Sequence, residues 1–138
     1  MNILKLQHRP GTTFSEGALC VAESNSQSVP FDIKRVYYSY GVESGIIRGM
    51  HAHKTLEQIL ICIYGEIEIT LDDGKGVKES IVLKDPSEGL YVGPSTWRTM
   101  KWIKSDSVLL VLASHHYDAG DYIRDHDEFT AWVKRSDR

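Results

Sequence analysis

Short segments in which polar and apolar residues alternate, broken by glycine-rich turns, restrict the fold of this chain more than any other feature. The clearest is 66–71 (EIEITL), where every second side chain is apolar. This pattern is typical of a β-strand with one face on a core and the other in water. Residues 72–76 (DDGKG) supply a flexible turn, and 77–83 can return as the partner strand. The sequence therefore predicts a β-hairpin.

Other segments extend the all-β pattern. The runs 58–64 (QILICIY) and 107–113 (SVLLVLA) are short and apolar, which fits strands buried on both faces, although periodicity alone does not distinguish them from buried helices. Residues 33–40 (IKRVYYSY) are rich in aromatic and branched residues and predict another strand. One C-terminal helix is predicted from apolar residues at spacings of three and four, namely Tyr122, Ile123, His126, Phe129, Trp132 and Val133. Together these elements predict a double-sheet jelly roll or a small barrel, with a cavity at its mouth.

Size and charge narrow the possible functions. A chain of 138 residues with 41% hydrophobic content fits a single domain. With 16 basic and 19 acidic residues it has no broad positive field, so we expect no nucleic-acid partner, and an anionic ligand must be held by a few placed Lys and Arg. Cys20 and Cys62 are expected to be reduced. We find no signal peptide and no apolar run that could span a bilayer, which predicts a cytoplasmic protein without a membrane partner.

The segment 45–57 (GIIRGMHAHKTLE) carries the most chemical information. If it is extended, His51 and His53 lie on the same face of a strand and Lys54 lies on the other. Glu57 could then complete a set of three donors of the type that binds iron, manganese, nickel or zinc.

This segment resembles the first motif of the cupin superfamily, which continues to a later glycine, here Gly65. Metal-binding cupins take a further histidine from a second motif after a proline turn. The matching segment is 93–98 (GPSTWR), and the expected histidine is replaced by Arg98. Because an arginine is permanently charged and has no lone pair to give, it would repel a metal ion rather than bind one. We therefore predict no metal site.

A narrower resemblance covers almost the whole chain. Six segments, in the same order, are similar to the nucleotide-sugar 3,4-ketoisomerases, also called WxcM-like or FdtA-type cupins. They are PFDIKRVYY at 30–38, RGMHAHK at 48–54, QILIC at 58–62, LYVGPSTWR at 90–98, VLLVLAS at 108–114 and DYIRD at 121–125. Glu57 is a departure, since we do not take this family to need that acid.

The resemblance implies both a fold and an activity. The fold is a cupin double-stranded β-helix, or jelly roll, formed by one domain over 1–138 with a short C-terminal helix. The activity converts dTDP-4-keto-6-deoxy-D-glucose into a 3-keto isomer, on routes to the amino deoxysugars of surface glycans such as the O-antigen of lipopolysaccharide. The resemblance also implies that the enzyme needs no cofactor and forms a homodimer with exchanged N-terminal strands.

The reaction requires a proton to leave the carbon beside the carbonyl and another to reach the former carbonyl carbon, through an enediol or enediolate. A neutral imidazole can accept and return such a proton, so we expect His51 to be the principal acid/base and His53 its partner or a proton shuttle. Groups that could stabilise the oxyanion are Tyr37, Arg48 and Arg98. The predicted catalytic residues are His51, His53, Tyr37 and Arg48, and the predicted substrate-binding residues are Arg98, Trp97, Lys54 and Arg35.

Three other functions fit parts of the pattern. A metal-dependent cupin enzyme would use His51, His53 and Glu57. A nucleotide-sugar 3,5-epimerase would abstract protons beside the same ketone but leave the ketone in place. A sugar-sensing module would bind a nucleotide sugar without turnover, although such a module has no need for two imidazoles facing one pocket.

Overall fold

The computed structural model describes residues 1–137, in which twelve β-strands precede one α-helix. In chain order the strands are β1 (Asn2–Lys5), β2 (Gln7–Pro10), β3 (Ala18–Val21), β4 (Arg35–Ser39), β5 (Ile47–His53), β6 (Gln58–Tyr64), β7 (Ile67–Asp72), β8 (Lys78–Leu83), β9 (Glu88–Val92), β10 (Trp97–Trp102), β11 (Val108–Ala113) and β12 (Tyr122–Ile123). The helix is α1 (His126–Ser136). Within this part of the chain no helix is both long and apolar enough to cross a membrane.

Two antiparallel sheets of five strands form the body of the molecule. Their strand orders are β1-β9-β6-β11-β4 and β12-β5-β10-β7-β8, and β2 and β3 pair separately as a hairpin. The main core lies between the two sheets, where Leu60 and Val111 of the first pack with Ile69 and Trp102 of the second. This arrangement confirms the predicted all-β jelly roll with a C-terminal helix.

The strand β6 is buried on both faces over most of its length, as its apolar run predicts. Leu60 and Cys62 belong to the core between the sheets, while Ile59 and Ile61 pack on the opposite side against the N-terminal segment that includes Phe31. This double burial requires apolar residues at successive positions.

The predicted hairpin is confirmed, since β7 pairs with β8 through the glycine-rich turn. The carboxylate of Asp72 accepts a hydrogen bond from the backbone N–H of Gly74 at 2.8 Å. Gly74 has a φ of +73°, and a Cβ there would lie 2.9 Å from side-chain atoms of Phe129 and Val133. The turn needs glycine both for its backbone conformation and for close packing against α1.

The predicted helix is confirmed from His126 onward, but not at Tyr122 and Ile123. The helix begins after Asp125, whose carboxylate accepts a hydrogen bond from the backbone N–H of Glu128 at 2.9 Å. Tyr122 and Ile123 instead form β12, which pairs with His53 and Ala52 of β5. The apolar spacing included these two residues because both a helix and a short edge strand bury one side.

Candidate active site

A β-bulge in β5 brings Arg48 to the same side of the sheet as His51. Across the pairing of β5 with β10, His51 lies opposite Arg98 and Arg48 lies opposite Met100, so two β5 residues face one β10 residue. The two β5 residues are Gly49 and Met50, with φ of 93° and 40°, and they lie opposite the single residue Thr99. In a regular strand, residues three apart point to opposite faces. The bulge shifts this alternation by one residue, and both side chains line the same cavity.

The two imidazoles lie next to each other, as the HxH spacing predicts. Their ring centroids are 4.8 Å apart and the rings are perpendicular. The His51 ring lies on the cavity wall, whereas His53 is completely buried behind it. The ring of Tyr122 packs against both, with its centroid 5.2 Å from His51 and 4.3 Å from His53.

Hydrogen bonds assign the same tautomer to both histidines. The Nδ1 atom of His51 lies 2.5 Å from the carbonyl oxygen of Gly49, and the Nδ1 atom of His53 lies 3.1 Å from Oδ2 of Asp121. A carbonyl and an ionised carboxylate can only accept, so each Nδ1 carries the hydrogen and each Nε2 keeps a free lone pair. Nε2 of His53 is buried and has no hydrogen-bond partner among the residues described. Each imidazole therefore presents Nε2 as a proton acceptor.

The surroundings keep both imidazoles neutral. Burial, followed by the positive charge of Arg98, lowers the pKa of His51 from 6.5 to about 4. The same two causes, with His51 itself as a third, lower the pKa of His53 to about 3. At neutral pH both rings are bases rather than cations.

Asp121 holds His53 and the following chain in place. One carboxylate oxygen contacts His53, and the other accepts hydrogen bonds from the backbone N–H and the hydroxyl of Thr55, each at 2.8 Å. Burial opposes the ionisation of Asp121, but the Thr55 hydrogen bonds and His53 outweigh it and keep the pKa of the carboxyl below its usual value. The carboxylate is therefore ionised at neutral pH and fixes the His53 tautomer.

Arg98 lies in the interior and does not line the cavity. Its side chain has no exposed surface, and burial lowers its pKa to about 10, so it stays a cation at neutral pH. The guanidinium donates hydrogen bonds to the carbonyl oxygen of Thr96 at 2.9 Å and to Oε1 of Gln58. Arg98 points to the same side of the sheet as its cross-strand partner His51 but lies deeper, behind the cavity wall, and direct binding of substrate by Arg98 stays a prediction.

A cavity of about 340 Å³ opens beside His51. Its wall carries three arginines, and among the residues described no Asp or Glu lines it. The polar side chains that face it include Arg35, Tyr37, Arg48, His51, Tyr122 and Arg124. Such a set of cations without carboxylates attracts an anion.

A neighbouring cavity of about 310 Å³ adjoins the first. Arg35 and Tyr122 line both cavities, while His53 and Asp121 line only the second. The Arg35 guanidinium lies over the ring of Tyr37, 5.2 Å from its centroid, and over the ring of Tyr117 at 5.7 Å. Arg35 thus stands at the boundary of the two cavities.

Of the two adjacent tyrosines on β4, Tyr37 faces the cavity. Its hydroxyl oxygen accepts a hydrogen bond from Nε2 of Gln58 at 2.8 Å. Tyr38 points outward and is 63% exposed. Burial raises the pKa of Tyr37, so its phenol keeps the proton at neutral pH.

Two predicted substrate-binding residues lie away from the cavity. The ring of Trp97 packs against His126 and Phe129, with centroid separations of 5.0 and 5.8 Å. Lys54 places its Nζ atom over the ring of Trp132, 5.3 Å from the centroid. Trp97 adjoins Arg98 and Lys54 adjoins His53, and both of these neighbours point inward. Because successive side chains point to opposite faces, Trp97 and Lys54 point outward, toward α1. Neither side chain lines the cavity beside His51, and the binding of substrate by Trp97 and Lys54 stays a prediction.

Glu57 does not join the histidines. Its carboxylate accepts a hydrogen bond from the hydroxyl of Tyr91 at 2.6 Å. Over residues 1–137, no three His, Cys, Asp or Glu side chains converge in a way that could hold a metal ion. The donor set required by the metal-dependent alternative is therefore not assembled.

Four residues at the site were not predicted from the sequence: Gln58, Asp121, Tyr122 and Arg124. Gln58 had a visible signal, because it is the one strongly polar residue in an otherwise apolar run. Asp121, Tyr122 and Arg124 lie in the DYIRD segment, for which similarity alone gave no role.

Comparison with known proteins gives matches over nearly the whole chain. Residues 2–134 match the family model FdtA, described as WxcM-like, C-terminal. A TDP-4-oxo-6-deoxy-alpha-D-glucose-3,4-oxoisomerase from Aneurinibacillus thermoaerophilus is 46% identical over 121 residues, which are 88% of this chain and 86% of that protein.

Solved structures agree with this match. A mutant of the 3,4-ketoisomerase QdtA from Thermoanaerobacterium thermosaccharolyticum, in complex with TDP-4-keto-6-deoxyglucose, is 41% identical with a TM-score of 0.90, over 97% of this chain and 94% of that one. The TDP-quinovose 3,4-ketoisomerase WlaRB from Campylobacter jejuni is 46% identical with a TM-score of 0.86, over 94% of this chain and 96% of that one.

Proposed function

We propose that this chain, which belongs to the FdtA family of WxcM-like proteins, is a sugar-nucleotide isomerase that converts TDP-4-keto-6-deoxyglucose into a TDP-linked 3-keto-6-deoxyhexose. The observation that carries the proposal is the neutral His51 imidazole, whose free Nε2 lies at the wall of a cavity lined by three arginines. The activities named for the similar proteins support the same reaction.

The cations of the cavity suit the diphosphate of such a substrate. Arg35, Arg48 and Arg124 line the cavity wall together, and a guanidinium can donate two parallel hydrogen bonds to phosphate oxygens. Anchoring the diphosphate there would place the sugar ring against His51 and Tyr37. Holding the reacting carbons beside the base is itself a large contribution to rate.

The proton transfers can be written with the residues present. Nε2 of His51 takes the proton from C3, and the electron pair of that C–H bond forms the C3–C4 double bond while negative charge develops on O4. The Tyr37 hydroxyl gives its proton to O4 and recovers one from O3. The His51 imidazolium then delivers its proton to C4 as the carbonyl forms at C3. Substrate and product have the same atoms, so no redox cofactor takes part.

His53 acts through His51 rather than on the sugar. It is completely buried, its Nδ1–H is held by Asp121, and its ring packs edge-on against His51. Of the two roles expected for it, we therefore assign it that of partner, which fixes the orientation of the base.

We also propose that the enzyme works as a homodimer. β4 and the residue that follows it expose three apolar or aromatic side chains, Val36, Tyr38 and Tyr40, with 55–71% of their surface accessible. β1 is an edge strand that pairs with β9, so exchange of β1 between two copies would preserve the same backbone hydrogen bonds. Light scattering on the purified protein tests this, and a monomeric mass for an active enzyme would contradict it.

One experiment tests the reaction. The protein is incubated with TDP-4-keto-6-deoxyglucose in deuterated water, with and without a chelator, and the products are followed by NMR. We expect a ketone at C3 in both samples, with deuterium at C4 to the extent that the His51 imidazolium exchanges its proton with solvent before delivering it. A ketone that stays at C4 with deuterium at C3 and C5 would indicate a 3,5-epimerase. Activity lost with the chelator would indicate a metal-dependent enzyme, and binding without turnover would indicate a sensor.

A proposed place in metabolism follows from the product. A 3-keto-6-deoxyhexose carries a carbonyl that amination converts into a 3-amino sugar. We therefore place the enzyme in the biosynthesis of amino deoxysugars for surface glycans.

A further inference from the structure

A continuous hydrogen-bonded chain runs from the buried cation to the cavity. Arg98 donates to Oε1 of Gln58, and Nε2 of Gln58 donates to the hydroxyl oxygen of Tyr37 at 2.8 Å. Arg98 is fully buried and Gln58 is 1% exposed, so neither contacts the cavity. Tyr37 is the member of the chain that lines it.

The direction of donation in this series of hydrogen bonds is fixed at its first member, Arg98. A guanidinium has N–H donors and no acceptor, so the Gln58 atom that faces Arg98 must be the carbonyl oxygen. The amide nitrogen then faces Tyr37, and this nitrogen can only donate. The Tyr37 oxygen must therefore accept from Gln58, and its own hydrogen is directed elsewhere. Among residues 1–137 the Tyr37 hydroxyl hydrogen has no acceptor.

We propose that Gln58 is a positioning residue: it transmits the fixed donor polarity of Arg98 to Tyr37, so that the Tyr37 hydroxyl can only donate its hydrogen toward the cavity. The catalytic value of this arrangement rests on the proposed ketoisomerase function. There the hydrogen is aimed at O4, where negative charge develops. A donor oriented before the reaction costs no reorganisation when the charge appears.

Two further observations support this role. Burial raises the pKa of Tyr37, whereas the Gln58 hydrogen bond opposes that rise, as expected if Gln58 donates to the phenol oxygen. Gln58 also begins a strand whose next residues, Ile59 and Leu60, are buried and apolar. An apolar residue there would pack equally well but would leave the Arg98 donor unpaired.

A purely structural role for Gln58 makes a different prediction. If Gln58 only satisfied Arg98, any acceptor of similar size would do, and Glu would be an improvement. We call the hydrogen bonds from Arg98 through Gln58 to Tyr37 the relay. In the relay, Gln58→Glu keeps the acceptor for Arg98 but replaces the group that donates to Tyr37 with one that accepts. The Tyr37 hydrogen then points at the carboxylate and is lost to the substrate.

The test is a double-mutant cycle with Gln58→Glu and Tyr37→Phe, measured as kcat and KM on TDP-4-keto-6-deoxyglucose. We expect Gln58→Glu to lower kcat by about 100-fold, the usual effect of removing one oriented donor. In the Tyr37→Phe background, the same change should alter kcat by no more than about twofold. KM should change little, because the donor acts on charge that develops during the reaction.

The cycle also separates the relay from a charge effect. A new carboxylate near the histidines would act in both backgrounds, whereas the relay acts only when the Tyr37 hydroxyl is present. An equal loss of kcat in both backgrounds would overturn the relay. Thermal unfolding and TDP binding of each variant show that it is folded. If Gln58→Glu does not fold, Gln58→Met replaces it, with the same expected dependence on Tyr37.

A second measurement is independent of turnover. Titration of ¹³Cζ-labelled tyrosine by NMR, with Tyr37→Phe used to assign the signal, reports the pKa of Tyr37. Gln58→Glu should raise this pKa, because the phenolate loses a donor and gains a negative neighbour. An unchanged pKa would refute the relay. A wild-type enzyme that does not isomerise the sugar would refute the proposed function, and this titration would still decide on the relay.

Discussion

Arg98 is the direct cross-strand neighbour of His51, with the cation fully buried and the imidazole on the cavity wall. A permanent charge in this position disfavours protonation of the ring beside it. Removing the charge should therefore alter the pH dependence of the enzyme in a defined direction.

Arg98→Met should move the acid limb of the profile of kcat/KM against pH to higher pH. The active form of His51 is the neutral ring, so activity falls as the pH drops through its pKa, which is about 4 in the native protein. Without the cation this pKa rises toward 6.5, but stays below it because burial remains its largest cause. The measurement is kcat/KM between about pH 3 and about pH 8, a range that includes the native limb and any limb moved toward the ordinary pKa of histidine.

The control is Arg98→Lys, which keeps the charge and should leave the limb near its native position. The maximal activity reached at higher pH is a separate quantity, because Arg98→Met and Arg98→Lys both also disturb the hydrogen bond with Gln58. An acid limb that does not move in Arg98→Met would show that Arg98 does not set the protonation state of the base.

His51→Asn should abolish most turnover without unfolding the protein. The ring lies on the cavity wall, so its loss leaves little buried apolar surface unfilled, while the proton acceptor disappears. We expect kcat to fall by about 10²- to 10⁴-fold, the range of general acid–base catalysis. The measurements are kcat and the melting temperature. His8→Asn, at an exposed position of β2, is the matched control, and substantial activity in His51→Asn would assign the base to another group.

Asp121→Asn should lower kcat more than it raises KM. The amide presents a donor where His53 needs an acceptor, so the His53 tautomer is no longer fixed and its support of His51 weakens. We expect a loss of roughly 10- to 100-fold in kcat, equivalent to about 1–3 kcal/mol for an unsatisfied buried group. Asp127→Asn, on the exposed first turn of α1, is the control and should behave as the native enzyme. Equal kcat in both variants would remove Asp121 from the proposed mechanism.

Arg124→Ala should raise KM, whereas Lys54→Ala should not. Arg124 lines the cavity, and a hydrogen bond between charged groups contributes about 1.5–3 kcal/mol, which corresponds to roughly 10- to 100-fold in binding. Lys54 lies over Trp132 on the other side of the sheet. Kinetics at fixed ionic strength compare the two, and a larger KM effect from Lys54→Ala would place the diphosphate elsewhere.

Much of the fold could be predicted from the sequence, because each strand carries its own local pattern. Alternation over 66–71 and the apolar run at 58–64 correspond to β7 and β6 almost to the residue. The position of His51 beside His53 also followed from a local rule, since residues two apart in a strand share a face.

The rest of the site depends on contacts that local patterns do not contain. Asp121 is 68 positions from His53, and nothing in its neighbourhood signals that pairing. Arg98 was correctly singled out as the residue at the missing histidine position, but its complete burial depends on how the two sheets close over it. The opposite facing of Lys54 followed from strand alternation, whereas the packing of Trp97 and Lys54 against residues of α1 and its N-terminus depends on where the helix docks.

The bulge at Gly49 and Met50 makes the composition of the catalytic wall depend on backbone conformation as well as on residue type. A regular strand of the same length would turn Arg48 to the far side of the sheet, because Arg48 and His51 are three positions apart. Removing one of the two bulge residues would instead leave Arg48 two positions from His51 in a regular strand, with the guanidinium still facing the cavity. The wall therefore tolerates the loss of one residue here, but not the loss of the bulge alone.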